Sequence, residues 1–296
     1  MPAEASEQTW TIKGLIDWAT DYLQKYKVNA PRLSADLMLA QVLDLSRLDL
    51  YLRFDQPLGK KDLGLFKALL LRRRSQEPLA YILGRREFYG LEFRVGKGVL
   101  IPRPETELLV EEGLRALAGL ESPRALDMCT GCGAVALALA AKDPRVRVMA
   151  TDVSEAALAF ARANAERLEL SGRVTWLLGD MFAPVAAMGG FFDLITANPP
   201  YVAEAQWADL PPEVREYEPR QALWGGADGL DMIRQIIAGC GAFLRPQGWL
   251  ILEMGQGQAE TAAALAEDAR IFERVSTLPD LSGILRVLSC QRKDYG

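Results

Sequence analysis

The sequence predicts an α/β protein with a mostly parallel sheet, preceded by a small N-terminal helical bundle and a β-hairpin linker. From about Arg124 onward, strand-like apolar runs alternate with helical segments, which is typical of parallel sheets. Up to Arg74 the apolar residues recur with helical spacing, and between Arg86 and Val95 they alternate about a glycine. We therefore expect the bundle at residues 1–76, the linker at 77–103 and the α/β domain at 104–296.

Three helices are expected in the N-terminal bundle. Residues 12–26 carry apolar side chains at i, i+3, i+4 and i+7, which indicates one buried face. A second helix is expected to begin after Ser34, a residue type that favours the N-cap, and a third to run from about Asp62 to Arg74. The basic run at residues 72–74 fits the C-terminal turn of that third helix.

The α/β domain is expected to open with a helix and then to alternate. Pro104 and Glu105 suit a first helical turn, because proline lacks an N–H that would be unpaired there and an acid is favoured at that end. The expected strands are 124–128, 147–151, 174–178, 192–197, 249–254 and two runs near Arg274 and Ile284. The expected helices are 133–141, 154–170, 231–243 and one after Gly257.

Composition narrows the classes of protein. The chain has 296 residues, of which 50% are hydrophobic and 25% charged, so it can bury a sizeable core. A net charge of −5 does not favour a general polyanion binder, and we expect no stable nucleic-acid partner. The longest apolar stretches, such as 133–141, are too short to span a membrane, and the N-terminus lacks a signal pattern. We expect a cytoplasmic protein without a membrane partner.

The chain contains no histidine, which excludes Ser-His-Asp and Cys-His catalysis and imidazole metal ligands. Among its four cysteines, Cys129 and Cys132 form a single C-x-x-C after a predicted strand. A redox-active thiol pair is one interpretation of that spacing. Without a second pair we expect no structural zinc, and we predict no metal.

The first strand–helix junction of the α/β domain is typical of a nucleotide-binding loop. Gly131 and Gly133 allow a tight turn and a close approach to a ligand, and Asp127 ends the preceding strand. Residues 131–136 also fit the dinucleotide fingerprint G-x-G-x-x-A, with Asp152 about 20 residues further on. Asp152 can bind the ribose of NAD or of S-adenosylmethionine, or can cap the next helix, so this spacing leaves the cofactor open.

A second junction follows the third predicted strand of this domain. There Asp180 places a carboxylate beside Met181 and Phe182, two apolar residues that can pack on an adenine ring. Alone, this segment predicts only a turn. Beside the glycine loop, it is a candidate base-binding site.

The most informative motif is Asn198-Pro199-Pro200-Tyr201, which follows the apolar run 191–197 where a parallel sheet places its ligands. Each proline biases the preceding residue toward an extended backbone, so the Asn198 and Pro199 oxygens become two fixed acceptors that suit one –NH2 group. Tyr201 can cover the flat group that carries this nitrogen. A rigid turn is the alternative interpretation, but the motif indicates chemistry on an amide or nucleobase nitrogen.

The chain resembles class I S-adenosylmethionine-dependent methyltransferases that modify amino or amide nitrogen. The resemblance is carried by the glycine loop, by the acids Asp127, Asp152 and Asp180, and by the Asn198–Tyr201 motif, hereafter called the tetrad. We rank NAD and thiol redox chemistry below this interpretation. The motifs around these residues are similar to the release factor glutamine methyltransferase family of the PrmC/HemK type, over nearly the whole chain. They are Pro78–Gly84, Glu87–Gly90, Leu100–Glu107, Glu218–Pro219 and Gly225–Leu230.

This resemblance implies a Rossmann-like domain with a seven-stranded sheet. It implies methylation of N5 of the glutamine in the Gly-Gly-Gln loop of class 1 peptide release factors, with S-adenosylmethionine as donor and S-adenosylhomocysteine as product. Related alternatives are a glutamine of a ribosomal protein, or adenine N6 in nucleic acid. A non-enzymatic S-adenosylmethionine-binding adaptor is the third alternative. Because a protein substrate needs a docking surface beyond the pocket, the helical bundle is a candidate for that surface.

The resemblance also implies roles for individual residues. The family commonly has glycine at the position of Cys129 and a small hydroxyl residue at Cys132, which puts the cofactor affinity in question. Met181 matches the adenine-flanking aromatic position, with Phe182 as the alternative. The predicted cofactor contacts are Asp127, Cys129, Thr130, Gly131, Cys132, Gly133, Asp152, Asp180, Met181, Phe182 and Asn198. The predicted catalytic residues are Asn198, Pro199 and Tyr201, and the predicted substrate contacts are Asn198, Pro199, Pro200 and Tyr201.

Overall fold

The computed structural model describes residues 9–186 and 191–294, which form two compact units. The first unit contains the residues up to Gly84 together with Pro212–Tyr217. The second contains Arg85–Pro211 and the residues from Glu218 onward. The domain bounds predicted above, at residues 1–76, 77–103 and 104–296, stay a prediction.

The first unit is a bundle of helices around an apolar core. The amphipathic helix predicted over residues 12–26 is confirmed as α1, whose apolar face includes the fully buried Ile12, Ile16 and Leu23. These side chains pack with Leu39 and Phe66 from two other helices. The helices of this unit are α1 (Ile12–Lys25), α2 (Pro31–Leu43), α3 (Arg47–Leu52), α4 (Lys60–Arg74), α5 (Leu79–Leu83) and the short α10 (Pro212–Arg215).

The predicted start of the second helix was wrong. Helix α2 begins at Pro31, because proline at the first helical position has its backbone angle preset and needs no donor. Ser34 therefore lies inside the helix, where its buried hydroxyl accepts a hydrogen bond from Arg73 Nε at 3.2 Å.

Arg73 connects the parts of the helical unit. Its guanidinium is almost fully buried and donates to the carbonyl oxygens of Glu77 and Asn29, at 2.8 and 3.1 Å. It also forms an ion pair with Glu213 at 2.8 Å. Tyr217 adds a second link, because its hydroxyl donates to the carbonyl oxygen of Ser75 at 2.6 Å. The segment 212–217, distant in sequence, is therefore part of this unit.

The second unit opens with the predicted β-hairpin, which is confirmed. Strands β1 (Arg85–Phe88) and β2 (Leu91–Arg94) pair antiparallel. The two turn residues, Tyr89 and Gly90, have φ angles of +51° and +72°. Two positive φ angles give a two-residue turn the twist that the strands require.

The remaining strands form one seven-stranded sheet, so the predicted mostly parallel sheet is confirmed. The strand order is β5-β4-β3-β6-β7-β9-β8, and the first five of these are parallel. Strand β9 runs antiparallel to both of its neighbours, β7 and β8. The strands are β3 (Arg124–Met128), β4 (Arg147–Asp152), β5 (Val174–Leu178), β6 (Phe192–Ala197), β7 (Leu244–Glu253), β8 (Phe272–Pro279) and β9 (Leu285–Arg292).

Helices accompany these strands, as the alternating pattern predicted. They are α6 (Glu107–Ala116), α7 (Ala134–Lys142), α8 (Glu155–Arg167), α9 (Ala183–Ala186), α11 (Asp231–Cys240) and α12 (Ala259–Asp268). Helix α7 is buried from Ala134 to Ala140, which explains its continuous apolar sequence. No helix in the described part of the chain is both long and apolar enough to cross a membrane.

The strand order reverses at β3, and this reversal locates the site. The chain adds β4 and β5 on one side of β3 and then returns to add β6 on the other. Met128, at the end of β3, lies opposite Thr151 of β4 and Ala197 of β6. The loops that follow these strands leave in different directions and create the crevice where open α/β sheets bind ligands.

Candidate active site

A cavity of about 450 Å³ lies at the carboxyl ends of β3, β4 and β6, within the second unit. This volume is in the range of small-molecule and cofactor sites. The predicted site residues that line it are Asp127, Cys129, Thr130, Gly131, Cys132, Asp152, Asp180, Met181, Asn198 and Pro200. The structure therefore brings together residues from the glycine loop, both later acidic junctions and the tetrad.

Four predicted residues are not among those that line this cavity: Gly133, Phe182, Pro199 and Tyr201. Phe182 is buried in the core, where its ring stacks on Phe243 with centroids 4.8 Å apart. Of the two candidates for the adenine-flanking position, only Met181 faces the cavity. Tyr201 lines a smaller hollow of about 20 Å³, which shares Asn198 with the main cavity.

The glycine loop is held in a left-handed backbone conformation. Cys129, Gly131 and Gly133 have φ angles of +54°, +58° and +82°. Gly133 also has no room for a side chain, because an added Cβ would lie 2.8 Å from Trp176. Cys129 carries a side chain in a backbone conformation that favours glycine. The cysteine predicted to stand where the family commonly has glycine is therefore a strained residue.

Asp152 fixes this loop from the neighbouring strand. Its Oδ2 accepts a hydrogen bond from the Gly131 N–H at 2.9 Å, and its Oδ1 accepts from the Ser154 N–H at 2.9 Å. Burial raises the pKa of Asp152. The N-cap of α8 is Ser154, whose hydroxyl accepts from the Ala157 N–H, so Asp152 does not cap that helix as the alternative interpretation held. A carboxylate has about four acceptor positions, so Asp152 keeps some for a ligand.

Asp127 joins the ends of two strands. Its carboxylate accepts hydrogen bonds from the hydroxyls of Thr130, at 2.5 Å, and Thr196, at 2.8 Å. Burial raises its pKa to about 6. Because Thr130 belongs to the glycine loop and Thr196 to β6, Asp127 connects the loop to the strand that precedes the tetrad.

Asn164 was missed by the sequence analysis. This fully buried side chain on α8 donates to the carbonyl oxygens of Cys132, at 3.0 Å, and Arg94, at 3.1 Å. Its Oδ1 accepts from the Arg94 N–H at 2.7 Å. Asn164 thus joins the glycine loop to strand β2. A polar residue on the apolar face of a predicted helix is the signal that could have found it.

The tetrad is held by a hydrogen-bonded network. Asn198 Nδ2 donates to Thr106 Oγ1 at 3.1 Å, and the Thr106 hydroxyl donates to Glu253 Oε2 at 2.5 Å. The Tyr201 hydroxyl donates to Glu253 Oε1 at 3.1 Å. Thr106 has one hydroxyl hydrogen, which goes to Glu253, so its oxygen must accept from the amide nitrogen of Asn198. The Asn198 Oδ1 is thereby left as an acceptor.

Glu253 and Thr106 were assigned no role from the sequence. Glu253 is 1% exposed at the end of β7, and burial raises its pKa to about 7. Burial also raises the pKa of Tyr201. An acid inside the predicted buried strand 249–254 is the signal that could have identified Glu253.

The glycines of the Gly225–Leu230 motif allow its backbone to approach the tetrad. A Cβ at Gly225 would lie 2.5 Å from the carbonyl oxygen of Pro200, and a Cβ at Gly229 would lie 2.2 Å from that of Tyr201. Gln258 supports the same carbonyl, because its Nε2 donates to the Tyr201 oxygen at 2.9 Å. Only glycine fits at these two close approaches.

A partly buried ion pair shapes another wall of the cavity. Glu218 accepts from Arg103 Nη2 at 2.5 Å and from the Ile101 N–H at 3.0 Å. Their chain neighbours Pro102 and Pro219 line the cavity. The motifs Leu100–Glu107 and Glu218–Pro219, which are distant in sequence, are thus joined by this ion pair at the cavity wall.

The cysteine pair shows no feature of a reactive thiol site. Cys129 and Cys132 are both free thiols, and burial raises the pKa of each, to about 12 for Cys132. Reactive thiols have a lowered pKa instead. Among the residues that the structure describes, no group of three or more acidic or cysteine side chains could hold a metal ion.

A glycine loop after β3, acids at the ends of β3 and β4 and just after β5, and an Asn-Pro-Pro-Tyr after β6, on this seven-stranded sheet, define a class I methyltransferase. Residues 104–210 match the family model of the methyltransferase small domain, and residues 14–84 match that of the PrmC N-terminal domain. The chain belongs to the release factor glutamine methyltransferase family.

Two relatives show this membership over nearly their full length. The release factor glutamine methyltransferase of Geobacter sulfurreducens is 43% identical over 281 residues, which cover 95% of this chain and 96% of that protein. That of Rhodopirellula baltica is 39% identical over 295 residues, covering 98% and 99%. A solved Thermus thermophilus 16S rRNA N2 G1207 methyltransferase, in complex with AdoMet and guanosine, shares the fold. Its TM-score is 0.52 at 20% identity, over 71% of this chain and 50% of that chain.

Proposed function

We propose that this protein methylates N5 of the glutamine in the Gly-Gly-Gln loop of class 1 peptide chain release factors, with S-adenosylmethionine as donor and S-adenosylhomocysteine as product. Membership of the release factor glutamine methyltransferase family supports the substrate. The observation that carries the proposal is the hydrogen bond from Asn198 Nδ2 to Thr106 Oγ1. It leaves Asn198 Oδ1 as an acceptor beside a cavity of cofactor size.

The residues around the cavity fit S-adenosylmethionine. Asp152 has acceptor positions left for the ribose hydroxyls, and we propose that Asp180 and Met181, which line the cavity, contact the adenine. The carboxylates of Asp127, Asp152 and Asp180 give the wall a negative character that suits a positively charged ligand. When bound, this cofactor supplies an electrophilic methyl group on a sulfonium. We propose no role for a metal in this reaction.

The tetrad would supply orientation. An amide nitrogen is a poor nucleophile because its lone pair is delocalised into the carbonyl. In the proposed complex, Asn198 Oδ1 and the Pro199 carbonyl oxygen accept the two amide hydrogens, and Tyr201 packs on the amide plane. The lone pair then faces the methyl group, and the nitrogen loses one proton to water. Positioning of this kind can lower a barrier by several kcal/mol, and it needs no histidine.

The proposed partner is the release factor, with the helical unit as part of its docking surface. The reaction would take place in the cytoplasm, where release factors act. We propose no stable nucleic-acid or membrane partner, since a net charge of −5 does not favour polyanions.

The test is labelled methyl transfer from S-adenosylmethionine. Purified class 1 release factor should be labelled, and a release factor with its Gly-Gly-Gln glutamine replaced should not. Labelling of DNA, RNA or a ribosomal protein in place of the release factor would overturn the proposed substrate. Labelling of none, with the cofactor bound, would leave the adaptor interpretation.

The role proposed for Asn198 is tested by a separate variant. Asn198→Ala should lower kcat by about 100-fold or more while cofactor binding, measured by calorimetry, is kept. Gln256→Ala removes an exposed amide that does not line the cavity and is the matched control. Near-normal turnover by Asn198→Ala would remove Asn198 from the mechanism.

A further inference from the structure

Glu253 is a buried carboxylate at the tetrad that the proposed chemistry does not use. Its two oxygens accept hydrogen bonds from Thr106, at 2.5 Å, and Tyr201, at 3.1 Å. Through Thr106 it is connected to the side-chain amide of Asn198. A buried carboxylate is costly unless it is hydrogen-bonded, and here its partners lead to two residues of the tetrad.

The direction of these hydrogen bonds depends on the charge of Glu253. When Glu253 is ionised it can only accept, so both hydroxyls donate to it and Thr106 accepts from Asn198 Nδ2. When Glu253 is protonated, its own hydrogen can be donated to Thr106. The Thr106 hydroxyl is then released and can donate to Asn198 Oδ1. The amide would rotate and present –NH2, a donor, in place of the acceptor.

We propose that ionised Glu253 is a positioning residue for methyl transfer, which acts through Thr106 to hold Asn198 Oδ1 toward the substrate amide and holds Tyr201 directly. This inference rests on the proposed function for its kinetic consequence. Its structural content, the coupling of the Glu253 charge to the orientation of the Asn198 amide, stands apart from any substrate.

The surroundings of Glu253 place this change in an accessible pH range. The pKa of Glu253 is raised to about 7, chiefly by burial and to a lesser extent by the nearby Glu105. The hydrogen bonds from Thr106 and Tyr201 and the charge of Arg286 on β9 act in the opposite sense. The charge of Arg103 acts on Tyr201, the partner of Glu253, and partly offsets the rise that burial causes in the pKa of that tyrosine. The active, ionised form therefore predominates above about pH 7 and is lost as the pH falls.

The kinetic test compares kcat from pH 6 to pH 8.5 for the wild type and four variants. Thr106→Val removes the hydroxyl at nearly constant volume and should lower kcat on the order of 10- to 100-fold. Thr106→Ser restores the hydroxyl and should recover most of that loss. Glu253→Gln should have a lower kcat without the acidic limb near pH 7. Thr175→Val, on the exposed side of β5, is the matched control.

Measurements of cofactor affinity and melting temperature show whether Thr106→Val loses activity through the position of the amide or through a loss of folding. We expect the S-adenosylmethionine Kd of Thr106→Val to stay within about twofold of the wild-type value, because the change lies in the amide-orienting network. Wild-type kcat in Thr106→Val, or an acidic limb that persists in Glu253→Gln, would overturn the inference.

A second measurement needs no release factor. The side-chain 15N resonance of Asn198, assigned by its loss in Asn198→Asp, is followed from pH 6 to pH 8.5. It should shift with a midpoint near pH 7 in the wild type and stay constant in Glu253→Gln. A constant wild-type resonance would overturn the inference. If no release factor is methylated by the wild type, the proposed function fails, and this titration still decides the coupling.

Discussion

The side-chain amide of Asn164 donates a hydrogen bond to the carbonyl oxygen of Cys132 at 3.0 Å, so helix α8 fixes the backbone of the glycine loop. The same side chain pairs with both backbone groups of Arg94. One buried residue therefore determines where the hairpin and the loop meet. The stability of the fold and the shape of the cavity are coupled at this position.

Replacing Asn164 should affect both properties. Asn164→Ala leaves one buried and two part-buried backbone groups without their partner, which should lower the free energy of unfolding by about 2 kcal/mol. Cofactor affinity should also fall, because the loop loses its support. Denaturant unfolding and calorimetry measure the two effects. A variant with normal stability and affinity would show that water replaces the amide at no cost.

Relieving the backbone strain at Cys129 should raise the free energy of unfolding. Cys129→Gly relieves a left-handed φ of +54° but adds freedom to the unfolded chain, and the net gain should be about 0.5 to 1 kcal/mol. Cys132→Gly is the matched control, since it removes a buried side chain at a position without positive φ and should destabilise. Thermal unfolding of both variants checks the contrast, and equal destabilisation would contradict it.

The cysteines should be inert in the folded protein. Burial raises the pKa of Cys132, Cys240 and Cys290 to about 12, and raises that of Cys129 as well. The thiolate fraction at pH 8 is then very small. Iodoacetamide at pH 8 should label these thiols only after denaturation, as followed by mass spectrometry. Rapid labelling of native Cys129 would instead support thiol chemistry in the loop.

The close approach at Gly229 predicts a loss of activity that is local to the tetrad. The added Cβ of Gly229→Ala would lie 2.2 Å from the Tyr201 carbonyl oxygen, so the tetrad backbone must shift. We expect kcat to fall on the order of 100-fold, with S-adenosylmethionine still bound. Gly172→Ala is the matched control, because nothing lies within 4 Å of its added Cβ. Equal activity of the two variants would show that the shift is harmless.

Glu253 also predicts how stability changes with pH. Its pKa in the folded chain, about 7, lies above the ordinary value of 4.5, so folding favours its protonated form. Stability should therefore decrease as the pH rises between these values, and Glu253 should contribute about 3 kcal/mol to the decrease. Urea unfolding at pH 4.5 and pH 8 measures it. The decrease should be smaller in Glu253→Gln, and an unchanged pH dependence would contradict the assignment.

Local pattern was enough to predict individual strands of the sheet, both in its interior and at its edge. Residues 124–128 and 174–178 are β3 and β5 with the predicted bounds, because a short apolar run between two turns leaves little choice of where the strand begins and ends. The start of α2 was placed wrongly because a capping residue type at Ser34 was preferred to a proline at the first helical position.

The supporting network could not be predicted, because its partners are far apart in sequence. Thr106 and Glu253 are separated by 147 positions, and no local pattern relates them. Met181 and Phe182 illustrate a different limit. The two neighbours look equivalent in sequence, but Met181 takes a φ of +48° and faces the cavity while Phe182 packs on Phe243. Only the tertiary environment distinguishes them.

The helical unit is discontinuous, and this has a consequence for the order of folding. Arg73 is buried against Glu213, which the ribosome adds only after strands β3 to β6 have been synthesised. Until then the Arg73 guanidinium lacks the carboxylate with which it pairs in the complete unit. The N-terminal helices are therefore made first but can be completed only after the central strands of the other unit have left the ribosome.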